Sequence, residues 1–129
     1  MSLKPHLTRF IHVLQEQQNG VICFEIINNG VGPAFIKSFK VFMNGNLISN
    51  VESEIKNLLD DYQNTLTVIN LTDDYVMKSG EKQEILKVNF NFKEGQSIQQ
   101  VEELLKCLDL IIEYQSVYGT KDIFSTVSN

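Results

Sequence analysis

The stretch that decides the fold is GVICFEIINNGVGPAFIKSFKVFMNG, residues 20–45. Its first half alternates the apolar residues Ile22, Phe24 and Ile26 with other side chains, and this period of two is typical of a half-buried strand. Its second half, residues 35–43, is again rich in residues that favour extended structure. We therefore predict two consecutive strands, around which the rest of the chain is arranged.

Turn-forming residues separate and close these two strands. Asn28-Asn29-Gly30 ends the first strand, and Gly32-Pro33 follows at once. Both glycines can adopt a positive φ at little cost, whereas the proline fixes φ at about −65° and lacks a backbone donor, so we expect a turn or bulge here. Asn44-Gly45 ends the second strand with the residue pair preferred in a type I′ hairpin turn.

The remaining segments alternate in the same way or follow a helical period. The clearest alternation predicts a strand with Leu86, Val88, Phe90 and Phe92 on one face. The strand predicted over 108–116 has Leu108, Leu110, Ile112 and Tyr114 facing inward. The other predicted elements are strands over 7–14, 47–48, 65–71, 108–116 and 123–127, a helix after the N-cap Asn50, and a helix at Ser97 with Gln100 in the capping-box position. In the first strand, Leu7, Ile11 and Val13 share one face, and the polar segments 15–20 and 72–80 are predicted as a turn and a loop.

This order of elements predicts a mostly β protein, an immunoglobulin-like antiparallel β-sandwich of seven or eight strands with two short inserted helices. A parallel arrangement fits less well because most connections between strands have hairpin length. The length of 129 residues predicts one domain, over residues 4–129, with residues 1–3 as a candidate expression leader.

The composition excludes several classes of partner. The net charge is −5 and the eleven basic residues are scattered, which argues against a nucleic-acid footprint and against binding to an anionic membrane surface. The longest apolar runs span only a few residues, far below the roughly 20 that cross a bilayer. We therefore expect no nucleic-acid partner, and contact with a membrane only through a segment absent from this chain.

Paired carboxylates are the main candidates for chemistry. Asp60-Asp61 and Asp73-Asp74 each place two acidic residues side by side, and such oxygens can bind Ca²⁺ or act as an acid and a base. Neither pair has the spaced pattern and the glycine of a calcium loop. Gly30-Val31-Gly32 is followed by a strand, whereas a dinucleotide loop must open a helix. We predict no catalytic, cofactor-binding or metal-binding residues, with Asp73 and Asp74 as the better candidates if a metal binds.

The two cysteines, Cys23 and Cys107, could form a disulfide or remain free thiols. A disulfide between strands can join the two sheets of a sandwich. However, Cys23 lies on the face opposite Ile22 and Phe24, and Cys107 lies at a helix-to-strand junction. We favour two isolated thiols, buried or half-buried.

Two segments resemble a known group of proteins. IINNGVGPAFIKSFKVFMNG at Ile26–Gly45 and IIEYQSVYG at Ile111–Gly119 are similar to segments of uncharacterised bacterial envelope proteins. The resemblance implies one or two membrane helices followed by an immunoglobulin-like extracytoplasmic sandwich, with no assigned activity. Those proteins often have a cysteine where this chain has Gln115, so a disulfide is not carried over.

The leading hypothesis is a non-enzymatic extracytoplasmic domain of a membrane-anchored bacterial protein, acting in protein interaction or as a structural module. One alternative is a small metal-dependent or hydrolytic enzyme that uses the Asp73-Asp74 loop. The other is a cytosolic subunit whose exposed strand edge pairs with a protein partner.

Overall fold

The computed structural model describes residues 3–71 and 74–127. Within these ranges the chain forms nine strands and two helices. The strands are β1 (Leu7–Glu16), β2 (Asn19–Asn28), β3 (Ala34–Met43), β4 (Asn46–Ile48), β5 (Gln63–Val68), β6 (Val76–Met77), β7 (Lys82–Asn91), β8 (Leu108–Gln115) and β9 (Lys121–Ser125), and the helices are α1 (Val51–Leu58) and α2 (Ile98–Leu105). The pairings between these strands are antiparallel.

The strands form two sheets that pack face to face. One sheet has the order β1-β2-β7-β5, and the other has the order β4-β3-β8-β9 with β6 also paired to β3. With β6 set aside, the first order is A-B-E-D of an immunoglobulin domain and the second is C-F-G with an added C′ strand. The predicted immunoglobulin-like sandwich is therefore confirmed. Both helices lie in connections that cross from one sheet to the other, α1 between β4 and β5 and α2 between β7 and β8.

The core lies between the sheets and is built from the alternating faces of β7 and β8. The predicted inward residues are all buried: Leu86, Val88, Phe90, Phe92, Leu108, Leu110, Ile112 and Tyr114. The helices close one part of this core with Ile55 from α1 and Val101 from α2. Each helix can do this because its apolar residues form a single stripe.

Three details differ from the predicted elements. The two-residue strand β6 lies in the segment predicted as a loop, because it pairs with the start of β3, and it brings the number of strands among the described residues to nine, above the predicted seven or eight. The predicted turn over 15–20 is shorter, since β1 continues to Glu16 and β2 begins at Asn19. Gly20 is consequently inside β2, where an added Cβ would lie 2.4 Å from the ring of Phe92.

Asn28, at the end of β2, connects three parts of the chain from a fully buried position. Its Oδ1 accepts hydrogen bonds from the backbone N–H of His6 at 3.1 Å and of Gly30 at 3.0 Å. Its Nδ2 donates to the carbonyls of Gly32 and Met77, both at 3.0 Å. The side-chain amide thus makes two hydrogen bonds as acceptor and two as donor. It can be buried because none of these groups is left without a partner.

The two glycines after Asn28 serve a different purpose from the predicted one. Neither has a φ in the left-handed region, so the predicted role in a positive-φ turn is wrong. Instead, a Cβ on Gly30 would lie 2.3 Å from the carbonyl oxygen of Lys4, and one on Gly32 would lie 2.5 Å from that of Leu3. Glycine is required because the N-terminal segment passes directly against this connection.

Replacing Asn28 with alanine is expected to lower the free energy of unfolding by about 3 kcal/mol, because four buried or half-buried backbone groups lose their partner. The matched control is Asn29→Ala, whose side chain makes an exposed bond to Thr8 and whose loss should cost no more than about 0.5 kcal/mol. Urea unfolding of both variants measures the difference. Equal destabilisation by the two substitutions would contradict the role assigned to Asn28.

Candidate functional site

The candidate site is the outer edge of β1. The other edge strands of the two sheets are β5, β4, β9 and the two-residue β6. Edge strands expose unpaired backbone groups, and proteins protect them by shortness, by charge or by polar side chains. β4 has three residues, β9 has five and begins with Lys121, and β5 presents the polar residues Gln63, Thr65 and Thr67. By contrast, β1 has ten residues and its pairing with β2 runs without a bulge. Among the described residues, β1 is therefore the one long and apolar edge.

The middle of β1, residues 10–14, exposes large apolar side chains on both of its faces. Phe10 is 54% exposed and Leu14 58% on the solvent face, while Ile11 is 41% exposed and Val13 38% on the face toward the other sheet. Leu7 shares the face of Ile11 and Val13, as predicted, but it alone of the three is buried. The other two lie at the rim of the sandwich, where the opposite sheet does not cover them.

The backbone groups at the free edge can be assigned from the register. The carbonyl of His6 accepts from the N–H of Asn29 at 2.8 Å, and β1 continues in the same register, with Leu7 opposite Asn28. In an antiparallel ladder, successive residues direct their N–H and C=O alternately toward the partner and away from it. The outward-directed backbone groups are therefore those of Arg9, Ile11, Val13 and Gln15.

A cleft of about 320 Å³ lies along the inner side of this edge, between β1 and α2. Ile11, Ile22 and Leu105 form part of its apolar lining, and Glu102 and Lys106 are charged residues that line it as well. The N-terminus of α2 is fixed to β1 because the Ile98 N–H donates to the side-chain oxygen of Gln15 at 2.9 Å. The edge is thus a strand anchored to α2 beside a cleft that both apolar and charged side chains line.

On the solvent face, His12 stands between Phe10 and Leu14. Its Nε2 lies 3.5 Å from a carboxylate oxygen of Glu25, and its ring centroid lies 4.7 Å from that of Phe10. Opposite His12 on β2 is Cys23, which is buried although it belongs to this face.

Both cysteines are free, as favoured from the sequence. Burial, together with the charge and hydrogen bond of Glu84, raises the pKa of Cys23 from its ordinary 9.0 to about 11. Burial also raises the pKa of Cys107, whose thiol lies 3.2 Å from the Leu104 carbonyl oxygen. A thiol with a raised pKa is a poor nucleophile at neutral pH.

The acidic pairs give no converging site within the described residues. Asp73 lies outside those residues, and Asp74 is exposed and pairs with Lys37 at 3.3 Å. Asp60 and Asp61 are exposed just after α1. Across residues 3–71 and 74–127, no group of three or more potential metal ligands comes together.

A polar cluster beside β6 is the other grouping of titratable residues. The Tyr75 hydroxyl donates to the Glu81 carboxylate, and the Gln83 amide donates to both, at 2.6 Å and 2.8 Å. Although partial burial acts to raise it, these hydrogen bonds hold the pKa of Glu81 below its ordinary value. The Lys78 backbone N–H also donates to this carboxylate, so the cluster holds the loop around β6 in place.

Sequence reasoning missed β1 as a site, although a signal was present. FIHVL, residues 10–14, places apolar residues at two adjacent pairs of positions and so departs from the period of two. A run that is apolar on both faces is typical of a strand that other parts of a protein cover on both faces. In this chain, the solvent face of that run is left open.

Comparisons with protein-family models, with curated proteins and with solved structures gave no match to this chain. In the part of the chain that the structure describes, neither helix is long and apolar enough to cross a membrane. The candidate site therefore rests on the geometry of β1.

The burial of Cys23 predicts a pH dependence of stability. Because its pKa is raised in the folded state, the unfolded chain loses this proton first, and the free energy of unfolding should fall between pH 9 and pH 11. The fall is expected to be about 2 kcal/mol. Cys23→Ala should remove this part of the pH dependence and leave the part due to Cys107 and the tyrosines, whose pKa values are also raised. Urea unfolding at pH 8 and pH 10.5 measures the difference. An equal fall in the free energy of unfolding between pH 8 and pH 10.5 in both proteins would contradict the burial of the thiol.

Proposed function

We propose that this chain is a non-enzymatic protein-interaction domain that binds an extended segment of a partner protein along the outer edge of β1. The observation that carries the proposal is the coincidence of two features in one strand. The backbone groups of Arg9, Ile11, Val13 and Gln15 are directed outward, and the apolar side chains around them are exposed. In strand addition, the backbone supplies affinity and alternate side chains supply specificity.

The proposed setting is the extracytoplasmic side of a membrane-anchored bacterial protein. It is supported by the resemblance of Ile26–Gly45 and Ile111–Gly119 to segments of bacterial envelope proteins. The first of these segments contains Asn28 and the two glycines against which the N-terminal segment packs, so the shared residues are accounted for as structural. The cytosolic interaction subunit would use the same edge and differs from this proposal only in location.

A photo-crosslinking amino acid placed in β1 of the full-length protein tests this function in its own cells. Substitution at Phe10 or Leu14 should yield adducts with protein, recovered in the membrane fraction, because these side chains border the docked strand. Matched control positions are Leu47 on β4 and Ile123 on β9, which are 60% and 61% exposed and lie on the protected edges. Adducts should be several-fold weaker there.

Two results would contradict the proposal. Equal adduct yields at all four positions would show that exposure alone, and not the β1 edge, governs the contacts. The absence of adducts at both Phe10 and Leu14 would leave β1 without a docking role. Adducts recovered only in the soluble cytosolic fraction would retain the docking edge and replace the envelope location with the cytosolic one.

A further inference from the structure

We propose that the partner strand at β1 is the β1 of a second copy of this chain, the two copies being related by a two-fold axis that passes beside His12. This inference rests on the proposed function, because it names the occupant of the same edge. Two-fold dimers bring the same surface of each copy together, so the edge must be complementary to itself. The sequence and backbone geometry of β1 meet this requirement in one register.

The backbone restricts the registers that are available. Only residues with outward-directed backbone groups can form hydrogen-bonded pairs across the new interface, and these are Arg9, Ile11, Val13 and Gln15. An antiparallel register centred on His12 pairs Ile11 with Val13 of the second copy, and Arg9 with Gln15 of the second copy. Each such pair exchanges two hydrogen bonds, so all four outward residues of each copy are used.

The side chains favour the same register. Centred on His12, it places Phe10 opposite Leu14 and Ile11 opposite Val13, so each exposed apolar side chain meets another. A register centred on Ile11 would place Arg9 opposite Val13, and one centred on Val13 would place Phe10 opposite Glu16. Only the register centred on His12 pairs apolar with apolar on both faces of the sheet.

The charges also permit this register. Arg9 of one copy lies opposite Gln15 of the other, and Glu16 lies opposite Thr8. The only like ionisable groups brought together are the two His12 imidazoles, and each has a Glu25 carboxylate oxygen 3.5 Å away. Residues 10–14 contain no proline, lysine or glycine, and β1 has no bulge, so the usual obstacles to edge pairing are missing there. Ile11, which lines the cleft beside α2, would meet Val13 of the other copy.

The size of the contact sets the expected strength. A standard stable interface buries roughly 1,600 Å² in total, and a pair of edge strands buries less than this, which is typical of reversible association. Each copy has a net charge of −5, and the resulting repulsion also weakens the dimer at low salt. We therefore expect dimers that form in the micromolar range and dissociate on dilution.

Analytical ultracentrifugation over a series of concentrations tests the association. The mass should rise from 14.8 kDa toward twice that value as the concentration increases. Val13→Pro should abolish the rise, because it removes an outward N–H while leaving the ladder to β2 intact. Leu14→Lys alters only an exposed side chain and should raise at least tenfold the concentration at which half of the chains are dimeric. The control Ile123→Lys should leave that concentration unchanged. Melting curves confirm that each variant is folded.

Disulfide trapping tests the register. In a Cys23→Ala, Cys107→Ala background, which removes the thiol opposite position 12, His12→Cys should form a linked dimer on mild oxidation. Its two Cα atoms would lie about 4.5 Å apart, as in a non-hydrogen-bonded pair, within the range of a disulfide. Thr8→Cys is the control, because position 8 of the two copies would be roughly 25 Å apart.

Linked dimers from His12→Cys, with few from Thr8→Cys, would support the inference. Equal linkage at the two positions, or a mass that stays at one chain at every soluble concentration, would overturn it. The result also separates this inference from the proposed function. A monomeric chain whose Phe10 adducts contain a different protein would overturn the self-pairing and leave the docking edge standing, whereas a monomeric chain without adducts at β1 would overturn both.

Discussion

The buried side chain of Asn28 is the contact on which the arrangement of this sandwich depends. It holds the backbone of His6, the connection after β2 and the strand β6 in one place. The backbone of the same residue also bonds to Glu81 and Gly80, at 3.0 Å and 2.7 Å. Because His6 directly precedes β1, this contact fixes where β1 begins against β2. The register that follows decides which backbone groups of β1 face outward, and so links a buried amide to the proposed docking edge.

Much of the fold was predictable because local chemistry decides it. The alternation of β7 and β8 gave the correct inward residues, and all of them are buried. Asn50 caps α1 by accepting from the Ser53 N–H at 3.0 Å, as its residue type predicts. Asn44 and Gly45 both have positive φ, at 52° and 81°, as a type I′ turn requires. In each case the residue types within one short segment are enough to predict the outcome.

The rest depends on contacts between distant segments, which the pattern of a single sequence does not contain. Gly30 and Gly32 were interpreted from their φ preferences, but the neighbour that requires them is the N-terminal segment. The candidate site shows the same limit. The paired aspartates were recognised as candidate site residues because their residue type alone suggests chemistry. The exposure of Ile11 and Val13, by contrast, follows from the position of β1 at the edge of its sheet. Sequence pattern places a residue on a face, and topology decides whether that face is covered.

Amide hydrogen exchange along β1, measured residue by residue in dilute and in concentrated solution, tests the central claim most directly. In dilute solution, Ile11 and Val13 should exchange at least ~10-fold faster than Phe10, His12 and Leu14, because only the latter donate to β2. In concentrated solution, Ile11 and Val13 should become protected while the other three change little. Equal rates in dilute solution, or the reverse alternation, would contradict the register of β1 and with it the outward-directed edge.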